Sequence, residues 1–174
     1  MKLKKRCSRC LPEFVYGSID GTVTTFAVVA GALGAGLSSA VILILGFANL
    51  FADGFSMAVS NYLSKKSEIE LDKKNKDYRK SPIKSAFVTF VSFIIIGFIP
   101  LLFFVLSLFF PSLIDKAFLY SAILTGFSFL IIGSVKGVVT GKHKTYSAVE
   151  TFVIGAIASV LAFAVGHFLR GLAG

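Results

Sequence analysis

The sequence predicts an all-α integral membrane protein with five transmembrane helices in each protomer. Composition, the length of the charge-free stretches and the placement of basic residues predict it. Fifty-five per cent of the 174 residues are apolar and the mean hydropathy is +0.82, against roughly 45–50% apolar usage in soluble domains. Four stretches lack Asp, Glu, Lys and Arg: Gly21–Ala52, Ser85–Ile114, Ala117–Val135 and Thr151–Leu169. A formal charge of +9 could indicate nucleic acid, but the basic residues sit between apolar runs, which fits a membrane surface and not a nucleic-acid partner.

The elements follow in chain order. Residues 1–13 form a basic cytoplasmic tail with Lys2, Lys4, Lys5, Arg6 and Arg9. No small-residue cleavage site follows it, so the first apolar segment is expected to remain. Its Cys7-Ser-Arg-Cys10 lacks the second pair that a zinc site would need and reads as two incidental thiols. Residues 14–63 form a transmembrane hairpin, because Gly21–Ala52 is too long for one span and its middle, residues 31–39, is turn-like. The two helices are placed at Phe14–Leu33 and Ser39–Leu63. Residues 64–84 form a basic cytoplasmic loop. Its acids, Glu68, Glu70, Asp72 and Asp77, alternate with lysines as on a solvated helix extension. Residues 85–174 hold helices three to five, the first of them kinked at Pro100. The positive-inside rule places the tail, this loop and the Lys136–Lys144 segment in the cytoplasm. Five crossings satisfy all three, with the N-terminus inside and the C-terminus on the opposite side. Pairs of small residues (Gly155 with Ser159, Ala162 with Gly166, Gly126 with Gly133) indicate close helix packing.

Acids inside a span are costly and usually face a polar interior or a partner. Asp20 lies about 9 Å inside the first helix, six residues at ~1.5 Å each, and Met57 lies at the same depth on the returning helix. Asn49, Asp53 and Met57 recur every fourth residue, which sets them on one stripe, and Thr24 stands one turn above Asp20. Oxygen ligands with one thioether suit a divalent transition metal such as Fe2+. Taken alone, Met57 would be read as packing, and the two aspartates as interfacial residues of one tilted helix. Glu150 opens the fifth span, where it either favours the helix N-terminus or serves proton or metal entry. His143 and His167 have no ligand companion at helical spacing. No nucleophile stands with a base, and no glycine loop cradles a phosphate, so no enzyme and no permanently bound cofactor are expected.

The segments Gly17-Ser-Ile-Asp20-Gly-Thr-Val-Thr-Thr-Phe-Ala-Val-Val-Ala-Gly31, Gly34-Ala-Gly-Leu-Ser-Ser39 and Asn49-Leu-Phe-Ala-Asp53-Gly-Phe-Ser-Met57-Ala-Val-Ser-Asn-Tyr-Leu-Ser-Lys-Lys-Ser-Glu68 together resemble the first two helices of the vacuolar iron transporter family. That family includes the yeast-type vacuolar iron and manganese carriers and the nodulin-21-like plant proteins. Gly133-Ser-Val-Lys136-Gly137 and Val149-Glu150-Thr-Phe-Val-Ile-Gly155 resemble its fourth and fifth helices. The resemblance implies a homodimer with a metal path between protomers. It also implies export of Fe2+, and often Mn2+, from the cytosol, in several members by exchange for protons. Asp20 and Met57 match its metal-path aspartate and methionine. Asn49 falls where some members have a glutamate, and Asp53 would supply a carboxylate one turn further on. Residues 64–84 are too short for the cytoplasmic metal-binding domain of other members. Two rival expectations are a carrier of another ion or solute that uses Asp20 and Asp53 as a proton relay, and a membrane scaffold that transports nothing.

Overall fold

Charge-free sequence of this length can satisfy its main-chain groups in lipid only as helix or closed barrel, and the chain takes the helical solution. The computed structural model describes residues 2–71 and 81–172. Asp72 and Asp77 lie outside them, and the side chain of Cys7 is likewise not described. The order is α1 (Lys2–Gly34), α2 (Ser39–Leu71), α3 (Pro82–Gly97), a 3-10 turn (Ile99–Leu101), α4 (Leu102–Phe109), a 3-10 stretch (Pro111–Lys116), α5 (Ala117–Thr140), α6 (Lys144–Leu169) and a final 3-10 turn (Arg170–Leu172). Among the described residues there is no β-strand, and five helical segments are long and apolar enough to cross a membrane: Cys10–Gly34, Ser39–Leu71, Pro82–Phe109, Pro111–Thr140 and Lys144–Leu169.

The hairpin between α1 and α2 turns where the small residues cluster. Gly36 adopts φ +74, and its main-chain N–H donates to Leu33 O at 2.9 Å while that of Leu37 donates to Ala32 O at 3.0 Å. This left-handed cap satisfies carbonyls that the helix end would otherwise leave open. Gly141, at φ +70, closes α5 in the same way, with Lys142 N–H donating to Gly137 O at 2.9 Å. Pro82 starts α3, where its missing N–H costs nothing. Pro100 interrupts the third span, and α3 gives way to α4 through the 3-10 turn, as the kink expected there requires. α1 and α2 are each 33 residues, or about 50 Å at 1.5 Å per residue, so both overhang a ~30 Å hydrocarbon core. The overhang lies at the end carrying the basic segments, called the basic end below. On α2 it is laced by Lys65–Glu68 (2.9 Å) and Lys66–Glu70 (4.0 Å) pairs.

Helices meet where side chains are small. A Cβ on Gly17 or Gly21 of α1 would stand 2.6 Å from the carbonyl oxygen of Thr89 or Phe93 on α3. Farther along α1, a Cβ on Gly34 would stand 2.3 Å from Phe163 O of α6, and one on Gly166 of α6 would stand 2.0 Å from Gly31 O. The Ala162–Gly166 pair therefore seats α6 on α1. Gly133 and Gly155 serve α5–α6 packing, against Ala148 and Phe129 respectively, whereas Gly126 meets only the Phe152 ring edge. The apolar core joins Val29 and Ala32 of α1, Ile42 and Leu50 of α2, and Phe93, Leu101 and Phe104 of the third span.

Candidate functional site

α1 and α2 run antiparallel, so the middle of one faces the middle of the other. Asp20 on α1 and Asp53 on α2 are both half-buried, and the charge of Asp53 reaches Asp20. Asp20 stands 14 residues before the end of α1 at Gly34 and Asp53 14 residues after the start of α2 at Ser39, which sets the two acids at one level, while Met57, expected at the depth of Asp20, lies one turn nearer the basic end. Gly54, beside Asp53, lets α2 settle on α3, since a Cβ there would already touch Phe93 and Ile94 at 3.1 and 3.4 Å. Gly21, beside Asp20, does the same for α1. Each aspartate therefore immediately precedes a glycine that fixes its helix against a common neighbour, α3.

The remaining stripe residues surround this pair. Asn49 has its Nδ2 buried without a partner. Met57 is half-buried and packs against the apolar core, so its side chain has a packing role whatever else it does. Thr24 donates its hydroxyl to the main-chain oxygen of Asp20 at 2.8 Å, which leaves the Asp20 carboxylate to other partners. Glu150 is placed elsewhere. It accepts a hydrogen bond from Lys136 Nζ at 2.8 Å across the α5–α6 turn, and the charges acting on it are Lys136 and Lys142. His143 bonds through Nδ1 to Thr145 Oγ1 at 2.7 Å, and His167 stacks on Phe163.

Two polar residues were not singled out in the sequence. Asn61 is the next step of the Asn49–Asp53–Met57 series, and its Oδ1 is buried without a partner; the four-residue spacing was the available signal. Glu13 is only 4% exposed and accepts a hydrogen bond from Ser85 Oγ at 3.3 Å. Its position just before the expected start of the span hid it.

Two neighbouring carboxylates repel when both are ionised, and a cation between them offsets that repulsion. Oxygen donors with one nearby thioether fit a divalent ion of intermediate softness. Among the described residues no three of His, Cys, Asp and Glu converge in one protomer. A metal ion held here would draw its remaining ligands from amides, the thioether, water or a second copy.

Fold and site together define a multi-pass, all-helical membrane protein with an acidic stripe on the α1–α2 face. The sequence profile of the VIT family matches residues 11–80 and 69–167, and the chain belongs to that family. It is 29% identical to the vacuolar iron transporter of Centaurea cyanus over 210 aligned positions, covering 87% of this chain and 84% of the relative. It is 27% identical to that of Toxoplasma gondii (92% and 74% covered) and 28% identical to vacuolar iron transporter 1 of Arabidopsis thaliana (91% and 85%). Since 87% of 174 residues is about 151, roughly 59 of the 210 positions in the first alignment face gaps in this chain. The two parts of the profile match overlap at residues 69–80, from the last residues of α2 into the segment that precedes α3.

Proposed function

We propose that this chain carries Fe2+, with Mn2+ as a second substrate, out of the cytosol across a cell or organelle membrane in exchange for protons. One observation carries the reading: Asp20 and Asp53 stand on facing helices at one depth, half-exposed on a face their own protomer does not cover. An aspartate at the centre of a span costs roughly 2.5–3.5 kcal/mol to insert, and two such groups would be tolerated where they hold a cation. The names of the relatives, all vacuolar iron transporters, agree.

A second copy related by a twofold axis beside α1 and α2 would cover this face and bring two sets of Asp20, Asp53 and Met57 together. Six ligands from two protomers suit a divalent transition ion better than the few one chain supplies. The basic segments set the orientation: tail, α2–α3 loop and Lys136–Lys144 toward the cytosol, hairpin and C-terminus away from it. Asn49 and Thr24 line the path. Glu150, held by Lys136, would take part in entry only if that pair opened. No bound cofactor is invoked, and no enzymatic step.

The test is uptake of Fe2+, Mn2+, Co2+ and Zn2+ into liposomes holding the purified protein, with and without a pH difference. The reading expects Fe2+ uptake that a proton gradient accelerates. Equal, slow leakage of all four ions, unchanged by the gradient and by Asp20→Ala, would refute it.

A further inference from the structure

The interior of each protomer holds a second set of polar side chains, on the other side of α1 from Asp20. Ser18, Thr22 and Thr25 on α1, Ser85, Thr89 and Ser92 on α3, and Ser121, Thr125 and Ser128 on α5 repeat one spacing of four and then three residues, which keeps each trio on one helix face. All nine are at most 8% exposed. At about 100° per residue, Ser18, Thr22 and Thr25 lie roughly 140–200° around α1 from Asp20, so the wall of the helix separates the two polar faces.

Buried Ser and Thr in membrane helices commonly return their hydroxyl to a carbonyl one turn back. Thr22, Thr151 and Ser159 do so, at 2.7 to 2.9 Å. Five do not: the hydroxyls of Ser18, Thr25, Thr89, Thr125 and Ser147 are fully buried and have no hydrogen-bond partner. They belong to four different helices. The Phe26–Phe118 stack, with centroids 6.1 Å apart, fixes the register of α1 against α5. Counting back along α1 and forward along α5 from it sets Thr22 with Ser121 and Ser18 with Thr125, each within about one residue's rise. Ser121 in turn donates to the carbonyl oxygen of Pro100, at the break in the third span. At the basic end stand Glu13 and its Ser85 partner. On α1 the apolar core cluster begins at Val29, beyond Thr25, so the hydroxyls of α1 lie on the basic-end side of its α1 members.

Buried hydroxyls without protein partners are satisfied in native interiors by ordered water, and a chain of water and hydroxyl can pass protons. We propose that this hydroxyl seam is the route of the exchanged proton, running inside each protomer from the Pro100–Ser121 level to Glu13 at the basic end, while the metal moves along the α1–α2 face. The proposal rests on the proton exchange stated above. Protons would enter from the side of the hairpin and leave to the cytosol, each passing between oxygens with no net change in the protein.

The experiment uses full-length protein in liposomes with an internal pH dye and a metal-sensitive dye, comparing wild type with Thr25→Val, Thr89→Val and Thr125→Val, singly and combined. These changes remove a hydroxyl that bonds to nothing in the protein and keep the side-chain shape. Thermal stability in detergent is therefore expected to hold or rise, as is metal affinity measured by titration of Mn2+ alone. Metal-driven proton movement is expected to fall severalfold, with Thr140→Val, at the exposed end of α5, as the unaffected control. Unchanged proton flux in the combined variant, with wild type exchanging protons, would overturn the seam alone. Metal uptake by wild type with no proton movement at all would overturn the seam together with the exchange reading.

Discussion

Gly21 joins the packing of α1 to the position of Asp20, and adding one methyl there tests both. A Cβ on Gly21 would lie 2.6 Å from Phe93 O and 3.1 Å from Phe93 Cα. Both are main-chain atoms of α3 and cannot rotate away. Restoring ordinary contact at 3.4 Å requires α1 and α3 to separate by about 0.8 Å. Overpacking of this kind costs about 1–3 kcal/mol. For a chain of this size each kcal/mol moves the midpoint by roughly 2–4 °C, so Gly21→Ala should melt roughly 2–12 °C below wild type. The adjacent Asp20 moves with the backbone, so metal uptake should fall even well below the melting range. Gly126→Ala is the control, since its Cβ meets only the Phe152 ring edge at 3.2 Å. Thermal unfolding in detergent followed by metal uptake in liposomes at 20–25 °C below the midpoint would measure both. A Gly21→Ala protein that melts with wild type and transports normally would show that α1 and α3 are not packed as described.

Three further outcomes follow from the same structure. Gly36→Val should destabilise the hairpin by about 1–2 kcal/mol because φ +74 is left-handed, while Gly36→Asn should cost less; chemical denaturation of the two variants compares them. Removing Glu150 alone should lower thermal stability, since it leaves the Lys136 ammonium without its 2.8 Å partner; Lys136→Met with Glu150→Met together should recover part of the loss, and strict additivity in that cycle would mean the pair is not coupled. Cysteine placed at Val23 or Thr24, on the α1 face that carries Asp20, should cross-link two copies in membranes, whereas cysteine at Ile157 on the exposed side of α6 should not.

Much of the architecture was legible because lipid leaves few choices. The charge-free stretches and the placement of the basic residues together led to five crossings, the Gly31–Ser39 cluster located the hairpin turn, and Pro100 marked the break in the third span. The hairpin itself was legible but not its register: counting from the basic ends set Asp20 level with Met57, whereas counting from Gly34 and Ser39 at the turn sets it level with Asp53, one turn nearer the hairpin. Partners across the bundle were less legible. The Lys136–Glu150 pair depends on how α5 returns into α6 through Gly141, and Glu13 is buried because α3 places Ser85 against it. Hydropathy put that glutamate outside the span. The five unpartnered hydroxyls read in sequence as ordinary small residues, for nothing local distinguishes a threonine that bonds its own helix from one buried without a partner.

Iron flux through Asp20→Asn measures the central claim most directly, because the change removes one charge and keeps the shape of the side chain. Loss of a charged ligand interaction is worth about 1.5–3 kcal/mol, a factor of roughly ten or more. Fe2+ uptake into liposomes should therefore drop at least about tenfold, with Asp115→Asn, at the turn before α5, transporting like wild type. Undiminished uptake by Asp20→Asn would contradict the account.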